Sequence, residues 1–206
     1  MSVDPKVVGQ FSKLSHASRF SNDMNIQLRL ATAEDIPALD QLMRRSVRAL
    51  SAGYYTERQI EISLVHVFGI DTQLIADGTY LIAEAADPSG SERRIAGCGG
   101  WSKRRTLYGG DQTKHSEDNL LDPATEPARI RAFFVDPDFA RQGIGRRLME
   151  ACEAAARAAG FTHVQLGATL PGVPLYAALG YQPIKEVEEP MPEGEVLPLV
   201  IMGKQF

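Results

Sequence analysis

Residues 129–147 read Arg-Ile-Arg-Ala-Phe-Phe-Val-Asp-Pro-Asp-Phe-Ala-Arg-Gln-Gly-Ile-Gly-Arg-Arg, and their types and spacing suit the binding of an anion. The apolar run 132–135 reads as a strand that breaks at Pro137, and a strongly helical sequence starts after two glycines. The first four N–H groups of a helix have no partner inside it, and the macrodipole adds roughly half a positive charge at that end. Gly143 and Gly145 carry no β-carbon, so a phosphate can approach the amides of Gln142 to Arg146 closely. Arg141, Arg146 and Arg147 add guanidinium forks that match phosphate oxygens. A pyrophosphate site is the predicted result. A tight strand-to-helix turn without any ligand would use the same two glycines. The pattern is neither a P-loop, which needs Lys and then Ser or Thr after the last glycine, nor a dinucleotide fingerprint, because residues 146–149 supply no third glycine.

Cys98 and Cys152 are the only cysteines, and neither has the spacing of a metal or redox motif. Both are predicted to be buried free thiols. Tyr176 lies in a short helical segment that Pro174 starts and Gly180 ends, where its pattern alone makes it an anchor of that helix on a sheet.

Val135-Asp136-Pro137, then Gln142-Gly143-Ile144-Gly145-Arg146 and Leu148, resembles motif A of the GCN5-related N-acetyltransferases. Leu175-Tyr176 with Leu179-Gly180-Tyr181 resembles the downstream element of that family, in the expected order and spacing. Two positions depart from the pattern. Ala140 stands where a Gln or Arg usually opens the motif, and Arg141 stands where a small residue often follows, placed to supply the displaced charge.

The resemblance implies an α/β (α+β) domain with a mixed, mostly antiparallel, twisted sheet flanked by helices. It implies acetyl-CoA as donor co-substrate, no metal, and transfer of the acetyl group to a primary amine of a small molecule or peptide by direct attack in a ternary complex. It places CoA on Arg141, Gln142, Gly143, Ile144, Gly145 and Arg146, and the pantetheine arm on the backbone of Phe133, Phe134 and Val135. It makes Tyr176 the acid for the departing thiolate, and Tyr54 and Tyr55 aromatic walls of the acceptor site. Several members carry a glutamate base where this chain has Arg129, so the base stays open among Glu84, Glu126, His115 and a water chain. Arg129 and Arg131 read as a solvated or ion-paired strand edge, or as partners for an acidic acceptor. The alternative is a catalytically inactive CoA-binding regulatory or protein-interaction domain, for which Ala140 and Arg129 argue. Transfer of a longer acyl group is a third reading.

The elements that must position these residues follow from periodicity. Residues 25–30 alternate as a half-buried strand, and Thr32 with Asp35 resembles a capping box before Ile36, Leu39, Met43, Val47 and Leu50 at helical spacing. Residues 51–56 break that helix, and Thr56 is predicted to cap a second one carrying Ile60, Leu64 and Val65 as its apolar residues. Residues 80–85 and 95–101 read as a hairpin around the turn 87–90. The polar segment 106–125 is long for a plain connection and is placed to act as an acceptor-site lid. Ile144, Leu148, Cys152, Ala155, Ala156 and Ala159 form one apolar stripe, which Gly160 stops. Residues 164–168 alternate as a strand, and residues 181–184 and 196–202 flank an acidic connection, 186–195, as a long hairpin.

With 206 residues, 44% hydrophobic and 23% charged, the chain can bury one core of ordinary composition. Residues 1–23 are predicted to be an N-terminal extension and 24–206 the acetyltransferase domain. A net charge of −4 argues against a nucleic-acid partner. The sequence has no run of ~18 apolar residues and no signal-peptide core, so no membrane association and a cytoplasmic location are expected. The apolar strand 196–202 suits pairing across a homodimer.

Overall fold

Among the described residues seven stretches with alternating or continuous apolar residues become strands: β1 (Gln27–Leu30), β2 (Tyr80–Ala86), β3 (Arg93–Ser102), β4 (Ala128–Val135), β5 (His163–Thr169), β6 (Gln182–Pro190) and β7 (Val196–Gln205). The computed structural model describes residues 26–86, 92–113 and 118–206. The strands form one sheet in the order β1-β2-β3-β4-β5-β7-β6. Every neighbouring pair is antiparallel except β4 and β5, which run parallel. This is the mixed, mostly antiparallel α/β architecture expected. The N-terminal extension, the turn 87–90 and His115 lie outside the described residues.

Among the described residues five helices cover the sheet: α1 (Ile36–Leu50), α2 (Glu57–His66), α3 (Thr72–Ala76), α4 (Ile144–Ala158) and α5 (Val173–Ala178). The alternation of side chains along β2 divides the core into two layers. Leu81, Ala83 and Ala85 pack toward Leu148, Met149 and Cys152 of α4, whereas Tyr80 and Ile82 pack toward Leu39 and Met43 of α1 and Leu64 of α2.

The caps are those the sequence announces. The Thr32 amide donates to Asp35 Oδ2 at 2.8 Å, and Pro37 sits in the first turn of α1. Thr56 and Gln59 exchange amide-to-side-chain bonds at 3.0 and 3.1 Å at the start of α2. Among the described residues no helix is long and apolar enough to cross a membrane. Cys98 and Cys152 are free and buried.

Three expectations need correction. Val65 is 62% exposed, because the inward stripe of this region runs through Ile60, Leu64 and Val67, and Val65 falls a sixth of a turn or more outside it. Ala159 is exposed, because α4 ends at Ala158 and Ala159 is its C-cap. The first half of the acidic segment, residues 186–190, is strand, since β6 pairs with β7 as far as Pro190 opposite Val196. As an edge strand it leaves Glu186 and Glu188 in water and tolerates prolines.

Candidate active site

The site begins where the central strands part. β4 and β5 pair only at Ala128 with Val164 and Arg129 with Gln165. Beyond that point, among the described residues, the β4 backbone has no strand on this side. On its other edge β4 carries a bulge: Cys98 faces Phe134 and Gly100 faces Arg131, so Gly99 is opposite both Ala132 and Phe133. Ala132 takes φ 54°, a left-handed conformation that costs an L-residue about 1–2 kcal/mol. The Tyr80 hydroxyl, buried beneath, donates to the Ala132 carbonyl at 3.2 Å and holds the bulge in place. Burial raises that phenol well above its ordinary pKa. The bulge also reverses parity. Ile130 before it and Phe133 and Val135 after it face the α4 layer, while Phe134 faces the α1 layer. The Val135 amide donates to Ser46 Oγ of α1 at 3.2 Å.

The glycine turn follows. Asp136 Oδ1 accepts from the Asp138 amide at 2.9 Å and caps a single 3-10 turn, Pro137–Phe139, whose Phe139 is buried. Arg141 has φ 63° and Gly143 φ 85°. A β-carbon on Gly143 would meet no atom within 4 Å, so this glycine serves the backbone conformation and leaves open space over the helix amides. Gly145 has a different reason. A β-carbon there would stand 2.9 Å from Leu175 Cδ2, so it allows α5 to close on the start of α4. Ile144, 1% exposed, roots the turn in the core.

A cavity of about 630 Å³ joins these parts. Phe133, Phe134, Val135, Arg141, Gly143, Ile144, Gly145 and Arg146 line it, together with Tyr176. Gln142 is not among the lining residues, and its side-chain amide donates back to the Asp138 carbonyl at 3.1 Å. The Tyr176 ring meets Tyr181 edge-on at 6.0 Å. Burial pushes its phenol up to about 12, so it is protonated at neutral pH.

The two tyrosines expected on the acceptor side separate. Tyr54, 52% exposed, lines the cavity. Tyr55, 7% exposed, lies in the core; its hydroxyl donates to the Pro198 carbonyl at 2.7 Å and accepts from the Leu170 amide at 2.8 Å. It ties the α1–α2 connection to β7 and to the end of β5. Glu84 is paired with Arg29 and Arg93, Glu126 with Arg105, and neither lines the cavity.

Arg131 is ion-paired, as one reading had it, but buried. Its guanidinium lies 2.7 Å from Asp71 and 3.8 Å from Asp118 and donates to the Gly109 carbonyl at 3.0 Å. This binds Gly109, Asp118 and the start of α3 to the central strand. Leu107, Tyr108 and Gly109 of the expected lid form a wall of the cavity. Ser46, Phe68 and Tyr108 were not singled out from the sequence, and no local motif marks them.

Residues 76–183, just over half of the chain, match the family model described as acetyltransferase (GNAT) domain. The fold is similar to that of a GCN5-related N-acetyltransferase from Rhodopseudomonas palustris, at 20% identity over 92% of this chain and 100% of that one, with a TM-score of 0.62. It is also similar to the PaiA N-acetyltransferase of Thermoplasma acidophilum in complex with coenzyme A, at 16% identity over 89% and 100%, TM-score 0.58. A third similar structure is YncA, an acetyltransferase of Salmonella typhimurium with acetyl-CoA, at 16% identity over 88% and 94%, TM-score 0.53. No curated protein sequence matches the chain.

Proposed function

Since the chain belongs to the GNAT acetyltransferase family, we propose that it moves an acetyl group from acetyl-CoA to a primary amine of a small molecule or peptide. The observation that carries this reading is the parting of β4 from β5 beside the glycine turn, with Tyr176 on the wall of the same cavity. The freed backbone of Phe133, Phe134 and Val135 suits the peptide-like amides of a pantetheine arm, which pair with a strand edge as another strand does. The open space over Gly143, with Arg141 and Arg146 at its side, suits a pyrophosphate. Two of the similar structures hold coenzyme A or acetyl-CoA.

Chemistry follows from the groups in place. The amine nitrogen attacks the acetyl carbon, and an amide N–H of the β4 segment is suited to hold the thioester oxygen as charge develops on it. The carbon–sulfur bond then breaks, and Tyr176 gives its proton to the departing sulfur. Both cysteine thiols are fully buried, pushed up by burial and absent from the cavity wall, which supports direct attack over an acyl-cysteine intermediate.

The test is a calorimetric titration with acetyl-CoA beside an assay of free CoA release over a broad panel of amines. Binding with amine-dependent release is the expected outcome. Tight binding with no release over the panel would overturn it in favour of a CoA-binding regulatory domain.

A further inference from the structure

Resting on that reading, we infer that Tyr108 is the acceptor-side catalytic group, taking a proton from the attacking amine and passing its own to Glu189. The position of Tyr108 follows from parity. Val164, Leu166 and Ala168 of β5 pack toward α4, so Gly167 points to the opposite face. A β-carbon on Gly167 would lie 2.6 Å from Tyr108 Cδ1, so the ring rests directly on the glycine backbone. Tyr108 belongs to the α1 layer and Tyr176 to the α4 layer, and both line the cavity that opens where β4 and β5 part. The donor and acceptor therefore reach the gap from opposite faces, each meeting a phenol.

The two phenols differ in their partners. The Tyr108 hydroxyl donates to Glu189 Oε2 of β6 at 2.8 Å. Glu189 is half-buried, so a proton it receives can leave to water. As the nitrogen lone pair bonds to the acetyl carbon, the nitrogen becomes positive and its N–H acidic. That N–H bond breaks toward the Tyr108 oxygen while the Tyr108 O–H proton moves to the Glu189 carboxylate. Sulfur leaves with the proton of Tyr176, and solvent returns the Glu189 proton to Tyr176. The phenol is never ionised, which matters because burial and the Glu189 contact raise it to about 12.

The walls around Tyr108 also describe the acceptor. Val47, Leu50, Tyr54, Phe68 and Leu107 are apolar or aromatic, and the charge of Arg131 is engaged by Asp71 and Asp118. The subsite takes an amine carried on an apolar body.

The experiment compares the parent protein with Tyr108→Phe, Glu189→Gln and Glu189→Ala, using phenethylamine as acceptor and spermidine as a polar control. Tyr108→Phe keeps the ring on Gly167, and calorimetry with acetyl-CoA checks that each variant retains its donor site. Each of Tyr108→Phe and Glu189→Gln is expected to lower kcat about 10²-fold with KM for acetyl-CoA unchanged. The double variant is expected to fall little further, because the two groups act in one step. Added formate is expected to restore turnover to Glu189→Ala and not to Tyr108→Phe. Parent-like kcat in the single variants, multiplying losses, or no response to formate would overturn the relay, and a preference for spermidine would overturn the apolar subsite. If the parent itself acetylates neither amine nor any other of the panel, acetyl transfer falls first and the relay with it.

Discussion

The wall of the cavity proposed for the donor comes from one continuous stretch, residues 133–146, with Tyr176 added from α5. The opposite wall gathers Ser46 and Tyr54 from and beyond α1, Phe68 from the loop before α3, Tyr108 from the β3–β4 connection and Arg131 from β4, with Glu189 of β6 behind them. The first wall offers mainly backbone: helix amides, a bulged strand and an open glycine. The second offers side chains held by other side chains. A backbone site tolerates changes around it and fails when a β-carbon enters it. A side-chain site is graded, because each member carries part of the geometry.

The sharpest way to break the donor wall is Gly143→Asp. It places a carboxylate where a phosphate would lie, and acetyl-CoA binding is expected to vanish at concentrations that saturate the parent. The open space around that position and the φ of 85° predict a cost of only about 1–2 kcal/mol in the fold, read as a small drop in Tm. Binding equal to the parent would show that the turn holds no phosphate.

Next comes the acceptor wall. Arg131→Met removes the guanidinium that lies 2.7 Å from the buried Asp71 and 3.8 Å from the part-buried Asp118, and a loss of about 3–5 kcal/mol is expected in urea unfolding. A variant of parental stability would mean that the ion cluster does not hold this wall together. Tyr176→Phe is smaller in free energy and confined to chemistry: kcat is expected to fall about 10²-fold while affinity for acetyl-CoA stays within about 2-fold. A matching loss of affinity would make Tyr176 a packing residue of the donor wall instead.

The smallest effect lies outside both walls. Arg29 hydrogen-bonds Asp35 and holds its carboxyl down at about 2, from the usual 3.8. The stabilisation this brings is complete above about pH 4 and lost as pH falls through 2, and solvent screening keeps it near ~1 kcal/mol. The urea midpoints of the parent and Asp35→Asn are expected to differ at pH 5 and converge near pH 2, with acetyl-CoA affinity untouched at neutral pH. A change in affinity would mean that the halves of the cavity are coupled to the edge of the sheet.

Much of this molecule was legible along the chain. The alternation in β1 and β5, the caps at Thr32 and Thr56, and the strand, glycine turn and helix around Gly143 all rest on neighbours within a few residues. The misreadings have equally local causes. Val65 and Ala159 fit an apolar pattern that the phase and length of their helices do not honour. The acidic residues of β6 look like a loop until β7 is seen to pair with them. Tyr54 and Tyr55 are adjacent and chemically alike, and only the meeting of α2 with β7 decides that one lines the cavity while the other anchors the core.

The sequence by itself determined the fold family and the glycine turn, because backbone amides, glycine and helix polarity act over a handful of consecutive residues. Only the tertiary structure decided what lines the opposite wall of the cavity. Arg131 meets Asp71, and Tyr108 meets Glu189 across 81 residues of chain. A side chain's partner is chosen by the register of strands far apart in sequence, and no local pattern encodes that choice.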